Sequence, residues 1–373
     1  CFESFSLGAQ VAHCAMAMAL PWCRGGLATG PLLALCLVLA SLVGRPAALD
    51  TRRRIVPQGF VRRPVLLDCD PGIDDVFALL WICSRLDALE LVVVTAAPGN
   101  VEGSQALRNA LGAMRLFDCG HNVTLGVGVT EAHRQSDGFM GGDGLQGHSA
   151  LLPEVSLGDD PILDAGRVIV DAVDRFGPDL AIVAIGPLGN LAAAERLRPG
   201  LLSTVRDLLI MGGAVVGGNV KPYAEFNFWY DAPSAKAVLA AATHAVLFPL
   251  DVTSELCFGG EYTDRLLWEA PGAASHFLSA IRSSAERQSH EWGVRCLFMH
   301  DAHPVGFLLE PELFSVVRRS MDVALGDEEG KSFLVPGGRP NVWQAVKQDE
   351  KLFEVLVEAA VAHLAAADMA TEL

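Results

Sequence analysis

The sequence predicts an α/β fold: a mostly parallel, doubly wound central sheet with helices on both faces, followed by a helical C-terminal part. Three observations carry this. Short β-branched, almost wholly apolar runs alternate with amphipathic stretches of helical length, the pattern of strands covered on both faces and joined by crossover helices. Several of those runs end in small, polar or acidic residues followed by Gly or Pro. The chain has 373 residues, 51% of them apolar, enough to bury a large core.

The strands expected are Val65–Asp68, Leu91–Ala96, Val123–Val127, Leu180–Ile185, Asp207–Met211 and Ala245–Pro249. Between them, helices are expected near Asp74–Arg85, Gly103–Phe117, Ile162–Phe176, Leu188–Leu197 and Ala232–Ala241. After Glu261 the pattern turns mainly helical, through Ala273–Ser289, Pro304–Leu309 and a closing helix near Asp349–Ala366. In open α/β sheets the ligand crevice lies beyond the carboxyl ends of the strands. The five junctions "LLDCDPG", "TAAPGN", "AIGPLGN", "MGGAV" and "PLDVT" are therefore expected to meet at one site.

This domain is placed at residues 64–373, after an N-terminal segment of residues 1–63. From Met16 the text reads as a targeting segment, with Arg24 as the positive flank and an apolar stretch from Pro31 to Val43. A cleaved signal peptide near 16–48, an uncleaved membrane anchor and an upstream mistranslation are the three readings. The first two place the protein in the secretory pathway or an organelle, the third in the cytoplasm. A basic linker, "TRRRIVPQGFVRR", follows.

A net charge of −16 and a pI near 5.0 exclude a nucleic-acid surface, which needs a basic stripe. Nine cysteines are scattered without a CxxC or a zinc-like Cys/His array. Their odd number and the chain's length argue against a disulfide framework. Asn122 opens an "NVT" glycosylation sequon, meaningful in a secreted protein.

"VLLDCDPGIDD" concentrates the chemistry. Asp74 or Asp75 alone would suit the positive end of a helix. Asp70, four and five residues earlier at a strand end, does not fit that reading. Three converging carboxylates ask for a hard cation with oxygen ligands, such as Ca²⁺ or Mg²⁺. Aspartate-nucleophile phosphatases also open on an apolar strand and DxD. Here Pro71 and Gly72 stand where their next positions include Thr or Val, and the two further aspartates have no role in that scheme.

"DCDPGIDD", "APGN", "AIGPLGN", "MGGAVVGGNVKPYAEFNFWYD" and "MHDAHPV", in this order, resemble the motifs of the calcium-dependent nucleoside hydrolases, the inosine–uridine preferring family. The resemblance runs from about Pro64 nearly to the C-terminus. It implies the nucleoside hydrolase fold and release of a free base from a ribonucleoside, with a Ca²⁺-bound water as nucleophile. Asp70, Asp75, Asp301 and the backbone carbonyl of Ile185 would hold the Ca²⁺. Asp74 and Asn227 would take the ribose 2′-hydroxyl, Asp301 the 3′-hydroxyl, and Asn219 with Glu225 the 5′-hydroxyl. Met211 would pack beneath the sugar and Asn100 would position it. Asp70 would be the general base and His300 the acid for the departing base. A homo-oligomer, dimer or tetramer, is also expected.

Read without the resemblance, His300–His303 is equally a helix start capped by Asp301, or part of a transition-metal site. The family's flap His is replaced here by Met140 in "MGGDGLQG", which puts the base contacts in question. The family's Gly-Pro-Leu-Thr-Asn turn has Gly189 for Thr, and "VALGDEEGKSFLVPGGRPN" is a shortened late hairpin. Two alternatives stand beside nucleosidase activity: a nucleoside or ribose binder without turnover, and hydrolysis of another N-ribosyl compound. With only Lys221 close to the 5′-side motif, a phosphorylated substrate is disfavoured.

Overall fold

The computed structural model describes residues 62–120, 122–128, 134, 136, 138–155, 157, 163–270, 272–291 and 297–371. The targeting segment and nearly all of the basic linker lie outside the described residues. Among the described residues no helix is long and apolar enough to cross a membrane.

The first half of the domain alternates strand and helix as expected, except that Leu163–Asp164, expected to open a helix, form a short strand before it. β1 (Arg63–Cys69), β2 (Leu89–Ala96), β3 (Thr124–Val127), β4 (Leu163–Asp164), β5 (Ala181–Ala184), β6 (Asp207–Met211) and β7 (Val246–Phe248) pair in parallel. Between them run α1 (Ile73–Cys83), α2 (Gly103–Leu116), α3 (Ala165–Phe176), α4 (Gly189–Leu197), α5 (Leu201–Thr204), α6 (Phe226–Tyr230) and α7 (Ala232–Ala241). The sheet order is β4-β3-β2-β1-β5-β6-β7, continued past β7 by two later strands. Chain order therefore reverses direction beside β1, where β2 and β5 flank it, and this switch point is where such sheets open a crevice.

Strand periodicity divides the core between the two faces. Val65 and Leu67 of β1 face the layer built from α1, α2 and the C-terminal helices, while Leu66 faces α3, α4 and α7. Apart from its half-buried Asp74, α1 is buried all round. That is the expected state of a helix with no polar face beyond its first turn. Trp81 of this helix meets Phe77 and Phe258 with ring centroids 5.8 and 5.7 Å away.

After β7 come α8 (Leu250–Thr253), α9 (Glu261–Glu269), α10 (Gly272–Glu291), α11 (Ala302–Leu309) and α12 (Leu352–Thr371), the helical C-terminal part. It also holds strands the sequence pattern did not predict: β8 (Phe314–Arg319), β9 (Met321–Val323), β10 (Ser332–Leu334) and β11 (Val342–Gln348). β11 adds to the main sheet in parallel with β7, and β8 closes that edge antiparallel to β11. β8 and β11 mix Arg, Lys and Gln with apolar residues because an edge is only partly covered, so they lack the continuous apolar signature of central strands.

The cysteine expectation is corrected. Cys83, the last residue of α1, is bonded to Cys119, just beyond α2, and Cys257 is also in a disulfide. Packing α1 against α2 brings Cys83 and Cys119 together across 36 residues, a pairing that chain spacing does not announce.

Candidate active site

The site begins where β1 ends. The strand's ladder carries Asp68 into register with Thr95 of β2 and Ala184 of β5, and Ile185 N donates to Asp68 O at 2.8 Å. The Asp68 side chain is fully buried and accepts from Thr95 Oγ1 at 2.6 Å and Asn190 Nδ2 at 2.7 Å. Burial raises its carboxyl to about 7, against the pull of those two bonds.

Asp70 follows, 1% exposed. Its Oδ2 accepts from Asn100 N at 2.7 Å, while Asn100 Nδ2 donates to Asp70 O at 3.1 Å. Two glycines wall the carboxylate in. A Cβ on Gly99 would lie 2.0 Å from Asp70 Oδ2, and one on Gly186 would lie 2.7 Å from Oδ1. The junctions after β1, β2 and β5 thus close around one carboxylate.

Asp75 folds back over the Pro71–Gly72 turn, accepting from Gly72 N at 2.9 Å and Asp70 N at 3.1 Å. It therefore serves as a helix cap while aiming its charge at Asp70. Asp301, the N-cap of α11, arrives from the far end of the chain and is 3% exposed. One carboxylate oxygen each from Asp74, Asp75 and Asp301 lies within 4.8 Å of the others. Burial, and then repulsion between neighbours, raises the proton affinity of Asp70, Asp75 and Asp301, and burial does so for Asp74. This donor set fits a hard divalent ion: buried oxygens, repelling one another, with no lysine or arginine paired to them among the described residues.

The sugar-side residues stand at the end of β6, which carries Met211, and in the loop and short helix α6 that follow it. Asn227, on α6, donates from Nδ2 to Ile185 O at 2.8 Å and lies 3.5 Å from Met211 Sδ. Glu225 caps that helix: its carboxylate accepts from Asn227 N, Gly213 N and Phe228 N at 2.7, 2.8 and 3.0 Å. Burial raises it to about 6, so the three donors do not fully offset desolvation. Asn219 is exposed, its Oδ1 accepting from Phe226 N at 3.0 Å, outside the buried group.

His300 is half-buried, its Nδ1 paired with Thr253 Oγ1 at 2.7 Å. Burial and neighbouring His303 pull the imidazole down to about 3. His303 is fully buried and sets its Nδ1 2.9 Å from His300 O. Met140 lies against the acidic turn, its Cε 3.2 Å from where a Gly72 Cβ would be. Asn109 ties the same turn to the flap, donating from Nδ2 to Pro71 O at 3.2 Å and Asp143 O at 2.8 Å.

Asp70, Asp74, Asp75, Asn100, Ile185, Met211, Glu225, Asn227 and Asp301 thus form one neighbourhood, with His300 beside Asp301. The sequence reading passed over Gly99, Gly186, Asn109, Asn190 and Thr253. Four of these stand in or beside the junction motifs; Asn109, on the buried face of α2, had no such signal.

The family model for inosine-uridine preferring nucleoside hydrolase matches residues 65–362. The chain belongs to this family. The pyrimidine-specific ribonucleoside hydrolase RihB of Escherichia coli O1:K1 / APEC is 28% identical over 253 residues, 67% of this chain and 80% of that protein. The same figures hold for RihB of Escherichia fergusonii. Among solved structures, a plant nucleoside hydrolase, PpNRh1, matches with a TM-score of 0.73 and 25% identity, covering 81% of this chain and all of that one. A purine-preferring ribonucleoside hydrolase from Gardnerella vaginalis matches with 0.72 and 25%, over 81% of this chain and 99% of that one. This nucleoside hydrolase is accordingly an enzyme that hydrolyses nucleosides, and its substrate is a small-molecule ribonucleoside.

Proposed function

We propose that this hydrolase cleaves the N-glycosidic bond of ribonucleosides in a calcium-dependent reaction. The observation that carries the reading is the group of mutually repelling carboxylates Asp70, Asp74, Asp75 and Asp301, with no cationic side chain paired to them among the described residues. Asp70, Asp75, Asp301 and the Ile185 carbonyl would hold Ca²⁺, with Asp74 beside them. When bound, the ion supplies Lewis acidity toward the sugar hydroxyls and the attacking water. Asp70, whose burial makes it proton-hungry, accepts the water's proton. As the C1′–N bond breaks, the sugar gains oxocarbenium character, and the surrounding carboxylates stabilise that positive charge. Asp74 and Asn227 orient the 2′-hydroxyl, Asp301 the 3′-hydroxyl, and Met211 packs beneath the ring while Asn100 positions it. Asn219 and Glu225 take the 5′-hydroxyl; the spare lone pairs of the Glu225 carboxylate leave it able to accept as well as to cap. His300 presents a hydrogen to the departing base.

The names of the relatives point to both pyrimidine and purine substrates. Met140, beside the acidic turn, is a point where preference can diverge. The deciding experiment is release of free base from inosine, uridine, adenosine and xanthosine, with Ca²⁺ and with chelator. We expect ribose and base with Ca²⁺, and little with chelator or with deoxyribonucleosides. Folded protein that releases base from none of the four with Ca²⁺ present overturns the reading; tight binding without release identifies a binder instead. We also propose entry into the secretory pathway or an organelle, supported by the bonded Cys83–Cys119 pair, since such bonds persist in oxidising compartments.

A further inference from the structure

Thr253 has no place in the reaction as described, yet it is fully buried and its hydroxyl lies 2.7 Å from His300 Nδ1. The short helix α8 that carries it is fastened from outside at two points: Leu250 N donates to Gly213 O at 2.9 Å, and Gln348 Nε2 of β11 reaches Val252 O at 2.8 Å. The His300 end is fastened too: His303 Nδ1 holds the His300 carbonyl, and the Phe298 ring stacks on the imidazole at 5.7 Å and 27°. Two anchored segments thus meet at this polar contact.

We infer that Thr253 is a positioning residue that grips His300 through Nδ1, so that Nε2 is the nitrogen that presents hydrogen to the leaving base. This rests on the reading of His300 given above. A hydroxyl can donate to the lone pair of a ring nitrogen. Toward the neutral ring Thr253 donates to the Nδ1 lone pair, which places the ring's hydrogen on Nε2. As the C1′–N bond breaks, its electron pair leaves with the base, and the Nε2 hydrogen bonds to that nitrogen. With valine in place of threonine, Nδ1 loses the hydroxyl it is paired with and meets a methyl group, so neither the tautomer nor which edge of the ring faces the base is fixed from that side.

The test compares two substrates on the Ca²⁺-loaded enzyme. Inosine has a leaving group that needs a proton; p-nitrophenyl β-D-ribofuranoside has one that leaves as a stable anion. Thr253→Val should lower kcat on inosine by about 10- to 100-fold with little change in KM, part of the 10²–10⁴-fold typical of acid–base catalysis. It should leave p-nitrophenyl riboside turnover within about 2-fold, and Thr253→Ser should restore inosine turnover to within about 3-fold. If Thr253→Val does not fold, Thr253→Ala is measured in its place. Equal losses on both substrates, or no loss on either, overturn the inference while the nucleosidase reading stands. A wild-type enzyme inactive on p-nitrophenyl riboside and on inosine, uridine, adenosine and xanthosine alike overturns the nucleosidase reading and this inference with it; if inosine is not turned over, uridine takes its place in the comparison.

Discussion

Gly99→Ala tests the site without altering any residue assigned to metal or substrate. The backbone at Gly99 lies outside the left-handed region, so alanine brings no conformational strain of its own. What it brings is a methyl group 2.0 Å from Asp70 Oδ2 and 2.8 Å from Asp70 Cγ. Contacts below 3.0 Å are essentially never tolerated, so carboxylate or turn must shift by at least about 1 Å. The carboxylate cannot slide away freely, because Gly186 lies close on its other side and Asn100 N grips Oδ2. A misplacement of about 1 Å costs a catalytic group on the order of 100-fold, or about 2.7 kcal/mol in the barrier. We expect Gly99→Ala to lose about that factor in kcat/KM and to need more Ca²⁺ for half-activation, while its secondary structure is unchanged. The assay is inosine or uridine hydrolysis across a Ca²⁺ titration, with circular dichroism as the folding control. Activity and Ca²⁺ dependence within 2-fold of wild type would mean that Asp70 is not held for catalysis by these glycines.

Other outcomes follow from the same geometry. Asp74 and Asp75 have folded-state values raised to about 6 and about 8, so the metal-free fold is favoured by their protonation. That contribution is complete below the unfolded value of about 3.9 and is lost as pH rises through about 6 and 8. Ca²⁺ displaces those protons, so the gain in Tm on adding Ca²⁺ over chelator should grow from pH 5 to pH 8; a gain independent of pH would contradict the carboxylate assignment. Replacing Cys83 and Cys119 by serine opens a 36-residue link worth about 4 kcal/mol in the chain-entropy account, and should lower Tm by roughly 5–10 °C. Finding both as free thiols in the native protein would count against the bond. Glu225→Gln should cost about 1–2 kcal/mol by weakening a helix cap of two donors and the bond to Gly213 N, readable as a lower denaturation midpoint; unchanged stability would leave Glu225 with a substrate role alone.

The parallel half of the sheet was legible because its strands are central. Val65–Leu67 and Ala181–Ala184 are apolar at every position since both faces are covered, and such runs stand out. β8 and β11 were not, because their partly exposed mixture of Val, Arg, Lys and Gln resembles a loop until a neighbour supplies hydrogen bonds. The acidic site was legible at its near end, Asp70–Asp75, because clustered carboxylates after an apolar strand are costly and need a reason; Asp301 entered only through the family resemblance. Helix capping by Glu225, the glycine walls around Asp70 and the Cys83–Cys119 bond left no comparable mark. Each depends on which backbone approaches from elsewhere.

By itself the sequence determined the alternation of buried strand and helix, the strand ends that would face a ligand, and the residue types able to hold a divalent ion. Tertiary structure alone decided that Asp301 closes the group begun by Asp74 and Asp75 more than 200 residues earlier, and that Thr253 meets His300. The physical reason is range. Propensity and periodicity act between neighbours along the chain, while a cation site and a held imidazole need oriented atoms within a few ångströms. Only the packing of α1, α8 and α11 around the end of the sheet brings such atoms together.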